Sequence, residues 1–117
     1  MNHFLTFVFL TICSTYSLNL DTDVYYGKVK GAEKPAEVVA IKVFEQIPEY
    51  QEIKKKKLKE DDPEYWVLLA EACRKFYSAV KKVATKNEYD CVVEKGKYEF
   101  KETPPDITQE VIDALEK

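Results

Sequence analysis

The chain has 117 residues, with 18 Lys or Arg against 21 Asp or Glu and a formal net charge of −3. This mildly acidic, interleaved balance gives no reason to expect nucleic acid as a partner, which selects for a basic face. The length suits one domain with a modest core, and a single His with three Cys leaves little for metal or thiol chemistry.

Phe4 to Cys13 form an uncharged run of apolar and Thr residues, followed by Ser14-Thr15-Tyr16-Ser17. The run has the length of a signal peptide's apolar region and is too short to cross a bilayer. Cleavage after Ser17 would put Thr15 and Ser17 at the two small-residue positions. Residues 1–17 are therefore expected to be a signal peptide and 18–117 one exported domain. The flank carries His3 where Lys or Arg is usual, and a buried strand is the alternative, although nothing there alternates or turns. Leu10-Thr11-Ile12-Cys13 only loosely matches a lipoprotein cleavage site, since Ile12 is bulky where a small residue is expected. No second apolar run is long enough to span, so no integral membrane segment is expected after cleavage.

Asp23 to Lys30 (DVYYGKVK) is rich in β-formers and reads as a first strand. Gly31 to Lys34 make a polar turn, and Pro35 suits the first position of a helix. Val39, Val43 and Ile47, with Ala40 and Phe44, recur at fourfold spacing and predict a helix over 36–47. Pro48 forces a kink or a restart there. Tyr50, Ile53 and Leu58 carry a thinner apolar stripe through the basic run Lys54 to Lys57. Glu60-Asp61-Asp62-Pro63 then separates two helices, with Asp62 as N-cap, Pro63 the first helical residue and Glu64 at the positive helix end.

Tyr65, Leu69, Ala72, Phe76, Ala79 and Val83 are spaced 4, 3, 4, 3 and 4, a heptad seam broadened by Trp66, Cys73 and Val80. This helix should pair with the preceding one as an antiparallel hairpin with a longer second arm. Cys91-Val92-Val93 reads as a strand, Glu94-Lys95-Gly96-Lys97 as a turn with Gly96 left-handed, and Tyr98-Glu99-Phe100 as the partner strand. Thr103-Pro104-Pro105 is an extended link. Asp106 is expected to cap a final helix, with Gln109 completing a capping box and Ile107, Val111, Ile112 and Leu115 facing inward. The expected class is α+β: a small β body of about three short strands, a protruding helical hairpin with coiled-coil-like arms over about 49–78, and a C-terminal helix.

Enzyme chemistry finds little footing. Beyond the signal there is no His, and Gly27, Gly31 and Gly96 are too isolated for a phosphate loop. Cys73 and Cys91 lack CxxC spacing, so zinc and thiol catalysis are not expected. Cys73 should lie about 14 residues, hence about 21 Å, before its helix ends. Cys91 lies just beyond that end, and bridged Cα atoms must approach within about 7 Å. Both are read as small core residues. Asp21-Thr22-Asp23 and Glu60-Asp61-Asp62 are read as a chain terminus and a helix start, not as Ca²⁺ sites. No cofactor or metal is expected.

Three blocks at the C-terminal side resemble the closing segment of the Skp/OmpH family of periplasmic chaperones. These are Ala79-Val80-Lys81-Lys82-Val83-Ala84, Tyr89-Asp90-Cys91-Val92-Val93, and Asp106-Ile107-Thr108-Gln109-Glu110-Val111-Ile112. In that family a long arm helix ends in an AVKKVA-like run, leads into a YDLVV-type strand, and is followed by a short DIT-initiated helix. Upstream, Lys42-Val43-Phe44-Glu45-Gln46-Ile47-Pro48-Glu49-Tyr50 resembles the family's KVFEQSPEY segment. Counted from Ala79 to Ile112 together with Lys42 to Tyr50, the resembling stretches span a little under half the mature chain, in order.

The resemblance implies a homotrimer joined through its β body, with arms that hold unfolded outer-membrane or other exported polypeptides in the periplasm without ATP. Near the arm tips, Tyr65, Trp66 and Leu69, with Lys54, Lys55, Lys56 and Lys57 opposite, are the candidate client-binding residues; the alternative is that they glue the arms together. The chain departs from the family in its short arms, its acidic balance, Ile47 in place of Ser, and a first strand separated from the KVFEQ block. A secreted, extracellular structural or interaction module that keeps the fold without the chaperone role is the competing expectation.

Overall fold

The structure, a computed structural model, describes residues 23–116. The expected signal segment and its cleavage site lie outside the described residues, as do Asp21 and Thr22. The chain forms a small mixed α+β domain of three strands and four helices among the described residues. In order these are β1 (Val24–Gly27), β2 (Pro35–Val38), α1 (Ala40–Phe44), α2 (Pro48–Lys55), α3 (Pro63–Asn87), β3 (Cys91–Glu94) and α4 (Thr108–Asp113).

The sheet order is β1-β3-β2, so the last strand made becomes the central one. β3 runs antiparallel to β1 and parallel to β2, with Ala36 opposite Val92 and Glu37 opposite Val93. Parallel neighbours need a long crossover, and α1, α2 and α3 supply it. Pro105-Asp106-Ile107 extends the sheet beyond β2: the Glu37 N–H donates to the Pro105 carbonyl and the Ile107 N–H to the Glu37 carbonyl, both at 2.8 Å.

Two expectations are corrected here. Residues 35–38 are a strand, not the first turn of a helix. Ala36, Glu37 and Val38 are buried in succession, which suits a strand covered on both faces. Pro35 sits at the first strand position, where its missing N–H is tolerated. The fourfold spacing becomes helical only from Ala40. Tyr98-Glu99-Phe100 is not a strand, because β1 and β2 already occupy both edges of β3. The turn before it does carry Gly96 at φ +82°.

α3 runs unbroken for 25 residues, about 37 Å at 1.5 Å per residue, in a molecule 43 × 26 × 23 Å. Pro63 opens it, as expected, and Pro48 opens α2. α2 lies antiparallel along the first half of α3: Glu49 at its start meets Lys75 at 2.9 Å, and Lys56 past its end meets Glu64 at 2.9 Å. Both helices end in a left-handed residue, Lys57 (φ 54°) and Glu88 (φ 60°). Leu58 N–H then reaches back to the Ile53 carbonyl, and Tyr89 N–H to the Ala84 carbonyl, satisfying orphan acceptors.

The main core lies between the helices and one sheet face. Phe76 stacks at 4.8 Å from Phe44 and edge-on at 5.1 Å from Tyr25, joining α3, α1 and β1. A smaller cluster, Val24, Cys91 and Val93, fills the other face under Val29, Ala32, Tyr98 and Phe100. Asp90 pins the loop before β2, accepting the Glu33 and Lys34 N–H groups at 2.7 and 3.0 Å. Cys73 is buried and disulfide-bonded, but not to Cys91, which keeps a buried thiol. The reading of Cys73 as an unbonded core residue is corrected; the geometric separation of the pair stands.

The expected capping box of the last helix is absent. Asp106 instead accepts from the Thr108 N–H and hydroxyl, while Gln109 turns to Asp113. Among the described residues no helix is long and apolar enough to cross a membrane.

Candidate polypeptide-binding surface

The α2–α3 connection forms one end of the helical pair, and its local chemistry follows from two helix termini meeting. Lys54 and Lys55 fall in the last turn of α2, where cations favour the carbonyl end. Glu64 falls in the first turn of α3, where an anion favours the N–H end. Lys56 bridges them, at 2.9 Å from both Glu52 and Glu64. Hydrogen bonds to those carboxylates, that of Glu64 foremost, push the Lys56 ammonium up to about 12. The Lys54 ammonium lies 5.5 Å from the Tyr50 ring centroid. Lys54, Lys55, Lys56 and Lys57 are all exposed.

The aromatic and apolar candidates divide. Tyr65 and Leu69 are 2% and 1% exposed, so they pack the helices together and present no free face. Trp66 is half-buried, edge-on to Tyr65 at 4.9 Å, and its indole N–H donates to the Glu60 carbonyl at 2.6 Å. The Tyr65 hydroxyl is buried without a hydrogen-bond partner among the described residues, and burial pushes its phenol up. Of the seven candidates, four lysines and part of one indole therefore share the surface.

Sequence reasoning missed Val67, which is 69% exposed on α3. The signal was available: two residues from both Tyr65 and Leu69, at about 100° per residue, it must face away from the seam they define. The exposed lysines, the half-buried Trp66 and the exposed Val67 are thus the side chains this end of the helical pair presents at its surface.

A second polar constellation sits where β3 meets α1. The Glu94 carboxylate accepts from the Tyr25 hydroxyl at 2.8 Å and from the Ala40 N–H at 3.2 Å. Burial raises its carboxyl above the usual range, against the pull of those two donors. Nearby, the Thr108 hydroxyl accepts from the Val39 N–H at 2.9 Å, and Lys95 pairs with Asp106 at 3.0 Å. These bonds join strands to helix starts and account for the polar groups there. No cluster of three potential metal ligands occurs among the described residues.

No family model, curated protein or solved structure matches the chain. Its own features are those of a small mixed α+β domain whose α2–α3 connection carries lysines and carboxylates side by side.

Proposed function

We propose that this chain is a short-armed protein of the Skp/OmpH kind, an exported, non-enzymatic holder of unfolded polypeptides that works without ATP. The observation that carries the reading is the order of the resembling blocks along the fold. KVFEQIPEY spans α1 and the start of α2, AVKKVA lies near the end of α3, YDCVV enters the central strand, and DITQEVI starts α4. The departure at the first strand remains, since β1 is separated from the KVFEQ block by β2 and the loop before it. In this reading α2 and α3 are the arms, the sheet with α4 is the body through which three copies assemble, and the lysines with Trp66 and Val67 touch the client.

A second reading, a secreted interaction module without holding activity, is favoured by one observation. Tyr65 and Leu69 are spent inside the helix pair, and α2 has only eight residues. Mass in solution and suppression of aggregation, measured together, separate the two. A stable trimer that keeps an unfolded β-barrel protein from aggregating is the expected outcome; a monomer without that activity overturns the holdase reading.

A further inference from the structure

α2 is lightly attached to the rest of the molecule. Its eight residues bury two side chains, Tyr50 and Ile53, and among the described residues α3 is the one element it packs against extensively. The backbone breaks at each end. Before α2, Ile47 is extended (φ −92°, ψ 124°) and offers no side-chain cap, yet it is fully buried and so makes a fixed pivot beneath Pro48. After it, Lys57 takes a left-handed conformation that favours Gly. A helix of eight residues does not hold together alone in water, so α2 is helical only while it lies on α3.

The interface between the two helices contains one unfavourable group and one fastening. The unfavourable group is the Tyr65 hydroxyl, buried without a hydrogen-bond partner among the described residues. A hydroxyl so placed has lost its bond to water and gained none in return. Tyr50 stands across from it on α2, near enough that Tyr65, after burial and Glu45, helps to push the Tyr50 phenol up. The fastening is Lys75, whose ammonium donates to both Glu49 oxygens at 2.9 and 3.0 Å between half-buried side chains. Lys56 with Glu64, past the other end of α2, is exposed and holds less.

We propose that α2 is a flap that lifts from α3 as one unit, pivoting at Ile47. The Glu49–Lys75 pair holds it shut, and the unpartnered Tyr65 hydroxyl favours its release into water. Lifting uncovers Tyr50, Ile53, Tyr65 and Leu69 while the sheet and the rest of α3 stay folded. The proposal goes beyond the holdase reading and does not depend on it, since it concerns how the molecule opens and not what it holds.

Amide hydrogen exchange of the full chain, followed at several low urea concentrations, tests it. The reporters are Gln51 and Lys56, whose N–H groups donate to the Ile47 and Glu52 carbonyls toward opposite ends of α2. Val92 and Val93, fully buried in the central strand, report on the body. Both α2 amides should exchange together, about a hundredfold faster than the body, and with little dependence on urea because lifting exposes little surface. Tyr65→Phe should slow both about tenfold. Lys75→Met, which leaves α2 itself unchanged, should speed both about fivefold. Exchange of α2 at the body's rate and with its urea dependence overturns the proposal, because α2 would then open only with the whole molecule. So does unchanged α2 exchange in Tyr65→Phe. A Lys75→Met variant that speeds Gln51 but not Lys56 overturns it too, since that is fraying from one end. None of these readouts involves a client, so the flap stands if exchange behaves as expected while aggregation suppression fails.

Discussion

Gly27 adopts φ +70°, and a Cβ built on it would collide with the carbonyl oxygen of Asp90. Only a residue without a side chain lets β1 close against the start of β3. Gly27→Ala should therefore destabilise by about 2 kcal/mol or more, from the left-handed backbone and the clash together. Gly31 has open space around its missing Cβ, so Gly31→Ala meets no clash and costs only its backbone strain (φ +79°). Urea unfolding of the two variants checks the contrast.

Glu94 carries the second prediction at this scale. Burial holds its folded pKa above the unfolded value, so its contribution to stability is full below the unfolded value and is lost as pH rises through the folded one. Glu94→Gln keeps an acceptor for Tyr25 and Ala40 without the charge. The variant should gain on the parent as pH rises from about 4 to 7, with the difference vanishing at the acid end. Asp106 has the opposite sign. Its bonds from the Thr108 hydroxyl and amide, with Lys95 beside it, hold its carboxyl down to about 2. Its contribution is present above the unfolded value and is lost toward that limit.

Among the elements, the α2–α3 pairing is the most exposed to test. The Lys75 ammonium donates to both Glu49 oxygens, at 2.9 and 3.0 Å, and the two side chains are 12% and 22% exposed. A pair so shielded should retain more than a surface ion pair does. A double-mutant cycle of Glu49→Gln and Lys75→Met is expected to give a coupling of about 1 kcal/mol.

Legibility in the sequence followed how locally each element is specified. α3 was readable because its heptad seam, Asp62 and Pro63 are all local signals. β2 was not, because Glu37 interrupts the apolar run; its burial depends on Gly96 N–H, which donates to its side chain from 59 residues away. The place of β3 was likewise hidden. A hairpin with 98–100 satisfied local turn chemistry, but two strands from the other end of the chain hold both edges. In the candidate surface the lysines were readable as exposed, whereas the burial of Tyr65 and Leu69 depended on how closely α2 lies on α3.

For the whole molecule, the tip and the body answer different questions. Replacing Lys54, Lys55 and Lys57 by Gln removes exposed charge without touching the core. The holdase reading expects such a variant to lose most of its aggregation suppression while its melting temperature moves by less than about 3 °C. Retained suppression would remove the lysines from the client-binding surface. A variant altered only at the tip should also keep its mass in solution, since the assembly assigned to the body does not involve those residues.

The strand order has a bearing on how the protein is made. β1 and β2 never pair with each other; each waits for β3, which leaves the ribosome more than fifty residues after β2. Until Glu94 has emerged, the nascent chain carries two bare strand edges beside helices that can already form locally. Among the described residues, a fragment stopped before Cys91 would have no paired strands. Pulse-labelled synthesis should find protease resistance arriving in one late step.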